Sequence, residues 1–167
     1  SGHGYAESAE LPSGVEGYRI QRAEVAPGLY RNATGTEALA YGLIAGGRLA
    51  EIPLTFASYP ITPASSLLHT LAQHKEFDVV TFQAEDEIAA VCAAIGASFG
   101  GTLGITSSSG PGISLKAEAI SLAAATELPL VIVNTQRGGP STAMPTKTEQ
   151  SDVNQALFGR HPDTTLP

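Results

Sequence analysis

From residue 34 to residue 135 the apolar positions change period repeatedly, between helical spacing and short β-branched or apolar runs. Thr34-Gly35-Thr36-Glu37 supplies cap-like residues ahead of Ala38 to Ala50, where Ala and Leu recur at helical spacing. Leu54 to Ser58 reads as a short strand, Ser65 to Lys75 as a helix, and Asp78 to Phe82 as a second strand bounded by charge. A helix over Asp86 to Ser98, a strand over Thr102 to Thr106, a helix over Ser114 to Thr126 and an apolar, buried strand over Leu128 to Thr135 continue the alternation. Strict alternation with short connections predicts an α/β fold: a three-layer arrangement with a parallel sheet and helices on both faces. Residues 1–32 mix Gly, Pro, Ser, Glu and Arg around one alternating stretch, Tyr18 to Val25, and read as a linker or N-terminal arm. The folded domain is expected over 33–167. After Arg137 comes a loop of Gly, Pro, Ser and Thr, longer than an ordinary connection and so expected to be functional. With so little chain beyond it, the sequence reads as a fragment.

With 167 residues, 43% of them hydrophobic, the chain is long enough for one domain with a sizeable core. A formal net charge of -7 argues against a nucleic-acid groove or an anionic membrane surface as the main partner. No run approaches the roughly 18 apolar residues of a membrane span, and no basic segment precedes an apolar one at the start. The expected location is the cytoplasm. Cys92 is the only cysteine, so the chain forms no internal disulfide and cannot supply the four thiolates of an iron–sulfur cluster. His3, His69, His74 and His161 show no metal-ligand spacing, and no metal site is expected here.

Loops just beyond the expected strands hold the candidate chemistry, because ligands of open α/β sheets lodge where the strands end at their carboxyl edge. Tyr59-Pro60-Ile61-Thr62-Pro63 has two prolines that fix φ and remove two donors, making a rigid connection that presents Ile61 and Thr62 in a set direction. It also reads simply as a well-made turn. Glu87 opens an Ala-rich helix, and a carboxyl desolvated against small side chains, with Glu85 and Asp86 nearby, is expected to have a raised pKa. The alternative is that all three acids complement the positive end of the helix dipole. Ser107-Ser108-Ser109-Gly110-Pro111-Gly112 has the hydroxyls and bare main chain of an anion cradle ahead of a helix, but not the Lys or spacing of a P-loop. Arg137 follows the last strand, where a guanidinium takes a substrate carboxylate in a bidentate pair, or merely caps a strand at the surface. Cys92 reads as a small core residue.

Taken together, Tyr59 to Pro63, Glu85-Asp86-Glu87-Ile88-Ala89-Ala90, Thr106 to Gly112 and Gln136 to Thr142 with Met144-Pro145-Thr146 resemble the α subunit of 2-oxoacid:ferredoxin oxidoreductases, particularly the 2-oxoglutarate type. The likeness runs across roughly residues 32–163, with one departure at Ala143, where the family more often has Gly. It implies the pyrimidine-binding domain of a thiamine diphosphate enzyme. Glu87, nine residues before Gly96, matches the Glu that bonds to the aminopyrimidine ring, with the Ala-rich face as the ring's bed. Thr62 matches the residue beside the substrate, Pro60 and Ile61 lie against the cofactor with Ser109 and Gly110, and Arg137 matches the clamp on the 2-oxoacid carboxylate. The chain lacks the Gly-Asp-Gly pattern that holds the diphosphate through magnesium. The resemblance therefore implies half a site, inactive alone. A β subunit would bring the diphosphate site, Mg2+ and a [4Fe–4S] cluster, with coenzyme A as acyl acceptor and ferredoxin as electron acceptor.

Two other readings compete. One keeps thiamine diphosphate in a non-oxidative decarboxylase or acetohydroxyacid synthase relative, against which the Gln-Arg-Gly-Gly-Pro-Ser-Thr loop speaks. The other is a non-catalytic subunit-assembly module, against which stands the joint presence of Glu87, Thr62 and Arg137.

Overall fold

The computed structural model describes residues 21, 23–142 and 144–159. Most of the alternating stretch from Tyr18 to Val25 lies outside these, as does Ala143. Two compact units divide the chain, Ser1–Asn32 and Ala33–Pro167.

Helix α1 (Gly35–Ala50) starts at a capping box: Glu37 N donates to Thr34 Oγ1 at 3.2 Å, and Thr34 N donates to the Glu37 carboxylate at 2.8 Å. Two donors that a helix start leaves unpaired are thereby satisfied, which stabilises α1 by about 1 kcal/mol. Then follow β1 (Leu54–Ser58), α2 (Ser65–Ala72), β2 (Val79–Gln83), α3 (Glu87–Phe99), β3 (Leu103–Ser108), α4 (Gly112–Ala125), β4 (Leu130–Asn134) and a short α5 (Val153–Phe158). The alternation is as expected, and β1 has the expected bounds. The helix expected to run to Lys75 stops at Ala72 and gives way to a 3₁₀ turn over Lys75–Phe77, and α5 was not foreseen.

The four strands of the described residues are parallel, in the order β2-β1-β3-β4, with Phe56 of β1 opposite Thr81 on one side and Ile105 on the other. The chain leaves β1 in one direction through β2 and returns to β1's other side with β3. The order reverses between β1 and β3, where such sheets open a crevice at their carboxyl edge.

Each face of the sheet has its own core. Leu54 and Phe56 of β1, Val79 of β2 and Ile105 of β3 meet Ala40 and Ile44 of α1 and Leu67, Leu68 and Leu71 of α2. On the opposite face Val91 and Ile95 of α3 cluster with Ala119 and Ala123 of α4 and with Leu130. The expectation that Leu128 to Thr135 is fully buried needs correction: β4 is half-buried at every residue, because it is an edge strand with one neighbour. The other edge, β2, leaves Val80 and Phe82 exposed. Helix α3 lies close against β3 because residue 104 is glycine: a Cβ there would stand 2.0 Å from the carbonyl oxygen of Ala94. Ser98 fastens the contact, accepting from Gly104 N at 2.9 Å and donating to the carbonyl of Pro129. Among the described residues no helix is long and apolar enough to cross a membrane.

Candidate functional site

The loop after β1 is fixed before any ligand arrives. Tyr59 is buried, and Ile61 packs toward the cluster of Tyr59, Ala84 and Ala90. Ser65, first residue of α2, accepts from Ile61 N at 2.8 Å and donates back to Ile61 O at 2.9 Å. Pro60 and Thr62 stay exposed at the sheet edge. The Thr62 carbonyl accepts from Arg137 Nη1 at 2.8 Å, so the loops after β1 and β4 meet.

Arg137 is not the exposed strand cap that one reading allowed. It is only 8% exposed, and its Nη2 donates to the Ser141 carbonyl at 3.1 Å while its Nε–H has no partner among the described residues. Gly110 approaches from the loop after β3: its φ of +51 suits glycine, and a Cβ there would stand 3.0 Å from Arg137 Nε. Both the backbone angle and the closeness of Arg137 disfavour a side chain at position 110. Beside Arg137, a cleft of 220 Å³ opens between the start of α4 and the loop after β4, with Pro111, Ser114, Glu149 and Asp152 in its lining. The two acids already have work: Glu149 accepts from Gly139 N at 3.1 Å, and Asp152 accepts from Asn134 Nδ2 at 2.7 Å and from Gln136 Nε2.

Glu87 and its acidic neighbours separate into roles. Asp86 is the N-cap of α3, its carboxylate accepting from Ala89 N at 2.8 Å, so the helix-start reading holds for that residue. Glu85 and Asp86 are exposed, whereas Glu87 is half-buried. A Cβ on Gly112 would stand 3.3 Å from Glu87 Cγ, 2.4 Å from the Tyr59 hydroxyl and 2.1 Å from Ser108 Oγ. These three side chains therefore meet over the bare first residue of α4. Tyr59 and Ser108 share a hydrogen bond of 3.0 Å. Burial holds the Tyr59 proton well above the usual phenol range, the Ser108 bond works the other way, and the neighbouring Glu87 adds to the rise.

Sequence reasoning missed Lys116. It is wholly buried, donating to the Glu87 main-chain carbonyl at 2.8 Å and to Thr106 Oγ1 at 3.4 Å, with Nζ 5.0 Å from the centre of the Tyr59 ring. Burial pulls its ammonium down to about 8, against the opposing pull of Glu87, Asp86 and Cys92. A signal existed: Ile113, Lys116, Ala119 and Ala123 share the buried face of α4, so a lysine occupies the apolar stripe of its helix.

The Ala-rich helix has two small-residue faces. Ala90 and Ala94 are buried, while Ala89, Cys92 and Gly96 face outward. Cys92 is thus exposed, not the core residue expected, because its helical position falls on the side turned away from the sheet. Ser109, at the end of β3, is fully buried with its hydroxyl unpartnered among the described residues.

Residues 48–166 match the family model described as pyruvate flavodoxin/ferredoxin oxidoreductase, thiamine diphosphate-binding. The chain is 56% identical over 166 residues to the 2-oxoglutarate oxidoreductase subunit KorA of Mycobacterium tuberculosis, covering 99% of this chain and 25% of that protein. It is 50% identical over 109 residues to the 2-oxoglutarate synthase subunit KorA of Archaeoglobus fulgidus, covering 65% of this chain and 32% of that one. A solved 2-oxoglutarate:ferredoxin oxidoreductase from Magnetococcus marinus, with 2-oxoglutarate, coenzyme A and succinyl-CoA bound, superposes with a TM-score of 0.69 at 40% identity, over 79% of this chain and 22% of that one. The chain thus spans between a quarter and a third of the length of these curated relatives.

Proposed function

This chain belongs to the thiamine-diphosphate-binding family of pyruvate flavodoxin/ferredoxin oxidoreductases, and on that premise we infer that residues 33–167 bind the pyrimidine half of the cofactor in a 2-oxoglutarate:ferredoxin oxidoreductase. The observation that carries this reading is the meeting of the Tyr59–Pro63 loop, Glu87, Gly110 to Gly112 and Arg137 at one edge of the sheet, on either side of the strand-order reversal.

The residues present fit the cofactor. Ala89, Cys92 and Gly96 give the outer side of α3 a patch of small residues between the exposed Ile88 and Phe99, against which a flat ring can lie. Glu87 stands half-buried at the start of α3, and the loop after β3 adds Ser109, its hydroxyl unpartnered among the described residues, and Gly110, side-chain-free beside Arg137. When bound, thiamine diphosphate supplies the electron sink for decarboxylation of a 2-oxoacid. Glu87 holds and shares a proton at a ring nitrogen of the pyrimidine. Pro60 and Ile61 bear on the cofactor, in a loop that Ser65 keeps rigid. Thr62 stands beside the substrate, and Arg137 turns its remaining donors to the 2-oxoacid carboxylate.

The substrate is 2-oxoglutarate or a related 2-oxoacid, converted to its acyl-coenzyme A and carbon dioxide with reduction of ferredoxin. A β subunit holds the diphosphate, Mg2+ and the [4Fe–4S] cluster, and the assembly works in the cytoplasm. The test is viologen reduction by the full-length subunit co-expressed with its β partner, with 2-oxoglutarate, pyruvate and branched 2-oxoacids, with and without coenzyme A and thiamine diphosphate. The expected result is turnover that needs both cofactors, is fastest with 2-oxoglutarate, and disappears in Glu87→Gln while the complex still assembles. Near-normal turnover by Glu87→Gln removes the residue from this role.

A further inference from the structure

Lys116 is an uneconomical residue for a core. Burying an ammonium costs several kcal/mol unless it is paired, and no carboxylate lies within ion-pair distance of it among the described residues. What it touches is specific: the main-chain carbonyl of Glu87, the hydroxyl of Thr106 on β3 and the face of the Tyr59 ring. These come from three elements, α3, β3 and the loop after β1, and all three border the place where Glu87, Tyr59 and Ser108 meet over Gly112. Deleting the lysine would leave the Glu87 carbonyl its helical partner but remove the only tie that the first residue of α3 makes to α4 through a side chain among the hydrogen bonds described.

We propose that Lys116 is a positioning residue for Glu87, its buried ammonium pinning the first turn of α3 so that the Glu87 carboxyl meets the cofactor's pyrimidine in a fixed direction. The proposal rests on the role inferred above for Glu87. A charge-assisted hydrogen bond is about twice as strong as a neutral one, so the hold slackens when Lys116 loses its proton. Its ammonium is lowered to about 8, which puts that change within reach of experiment. The charged and titratable groups that face it are Glu87, Asp86 and Cys92 of α3 and Tyr59 of the loop after β1.

The experiment uses the assembled α/β complex loaded with thiamine diphosphate and follows the near-ultraviolet circular dichroism of the bound aminopyrimidine from pH 6 to pH 10, alongside steady-state turnover. In the parent complex the signal is expected to step near pH 8. In Lys116→Met the step is expected to vanish, with kcat lowered about 100-fold, as for a misplaced catalytic group, and KM for 2-oxoglutarate nearly unchanged. Lys116→Gln, which keeps a donor, should recover part of kcat without restoring the step. Parental kcat in Lys116→Met, or a step that survives in it, overturns the proposal; so does the absence of any step in the parent complex, a result that needs no variant to fold. Glu87→Gln separates the two levels. If it is inactive while Lys116→Met is normal, positioning by Lys116 alone is wrong; if Glu87→Gln is active, the inferred role of Glu87 fails first.

Discussion

Arg137 has five N–H donors, of which one goes to the Thr62 carbonyl, one to the Ser141 carbonyl, and the Nε–H to no partner among the described residues. A lysine at this position keeps the charge but not the fork, and cannot join two loops and a substrate carboxylate at once. Arg137→Lys is therefore expected to raise KM for the 2-oxoacid, and Arg137→Ala to weaken binding by about 2 to 5 kcal/mol, the range for truncating one partner of a buried charge pair. Substrate-dependence curves for the assembled complex check both, and an unchanged KM in Arg137→Ala refutes the clamp. Lys116 makes a separate prediction about stability. Its folded-state pKa lies below that of an exposed lysine, so between pH 8 and about 10.5 the unfolded chain binds more protons than the folded one. Stability from this group is therefore lowest below pH 8 and rises with pH through that window, by at most about 1.4 kcal/mol per pH unit. Relative to Lys116→Met, the parent complex should gain in urea resistance as pH is raised from 8 to 10; a constant difference would show that Lys116 does not titrate there. Glu87, Thr62 and Arg137 were each legible as residues, because unusual side chains stood just past apolar strands. Lys116 was missed: its place on the apolar stripe of α4 could be read, but the closure of three other elements over it could not.

At the scale of elements, α3 matters most, because it begins with Glu87 and is seated by Gly104 and Ser98. A methyl group at residue 104 would collide with main chain, the Ala94 carbonyl, which has no rotamer to adopt. Gly104→Ala is therefore expected to push α3 off β3, destabilising the protein by about 1 to 3 kcal/mol or more and lowering turnover together with it. Gly96, on the outer face of the same helix, has open space around it. There Gly→Ala should stabilise the helix by about 0.5 to 1 kcal/mol while weakening thiamine diphosphate binding, because the added methyl intrudes on the face assigned to the ring. Thermal unfolding and calorimetric titration of the assembled complex read both variants, and unchanged cofactor affinity in Gly96→Ala would move the ring off this face. Among the described residues, periodicity located every strand and the four longer helices, since a repeat of two or of 3.6 residues is a local property. It misjudged the end of α2 and overlooked α5, a helix of six residues too short to show a period. It also took β4 for a buried strand, because an apolar run does not reveal whether its strand has one neighbour or two.

For the whole molecule, the alternation of strands and helices determined the class of fold, and with it the edge of the sheet at which a site belongs. Short right-handed crossovers leave few other ways to bury apolar strands. The motifs at the strand ends determined the family, since several unusual loops in fixed order constrain identity more tightly than composition does. What only the tertiary structure decided is which of those residues meet. The order β2-β1-β3-β4 gathers the loops after β1, β3 and β4 at one edge, bringing Thr62 to Arg137 across 75 positions of sequence and Tyr59 to Ser108 across 49. It also turned Cys92 outward and sealed Lys116 inward. Both outcomes have one physical cause: helical phase is written in the local sequence, but which side of a helix is covered depends on elements distant in the chain, and so on the packed sheet.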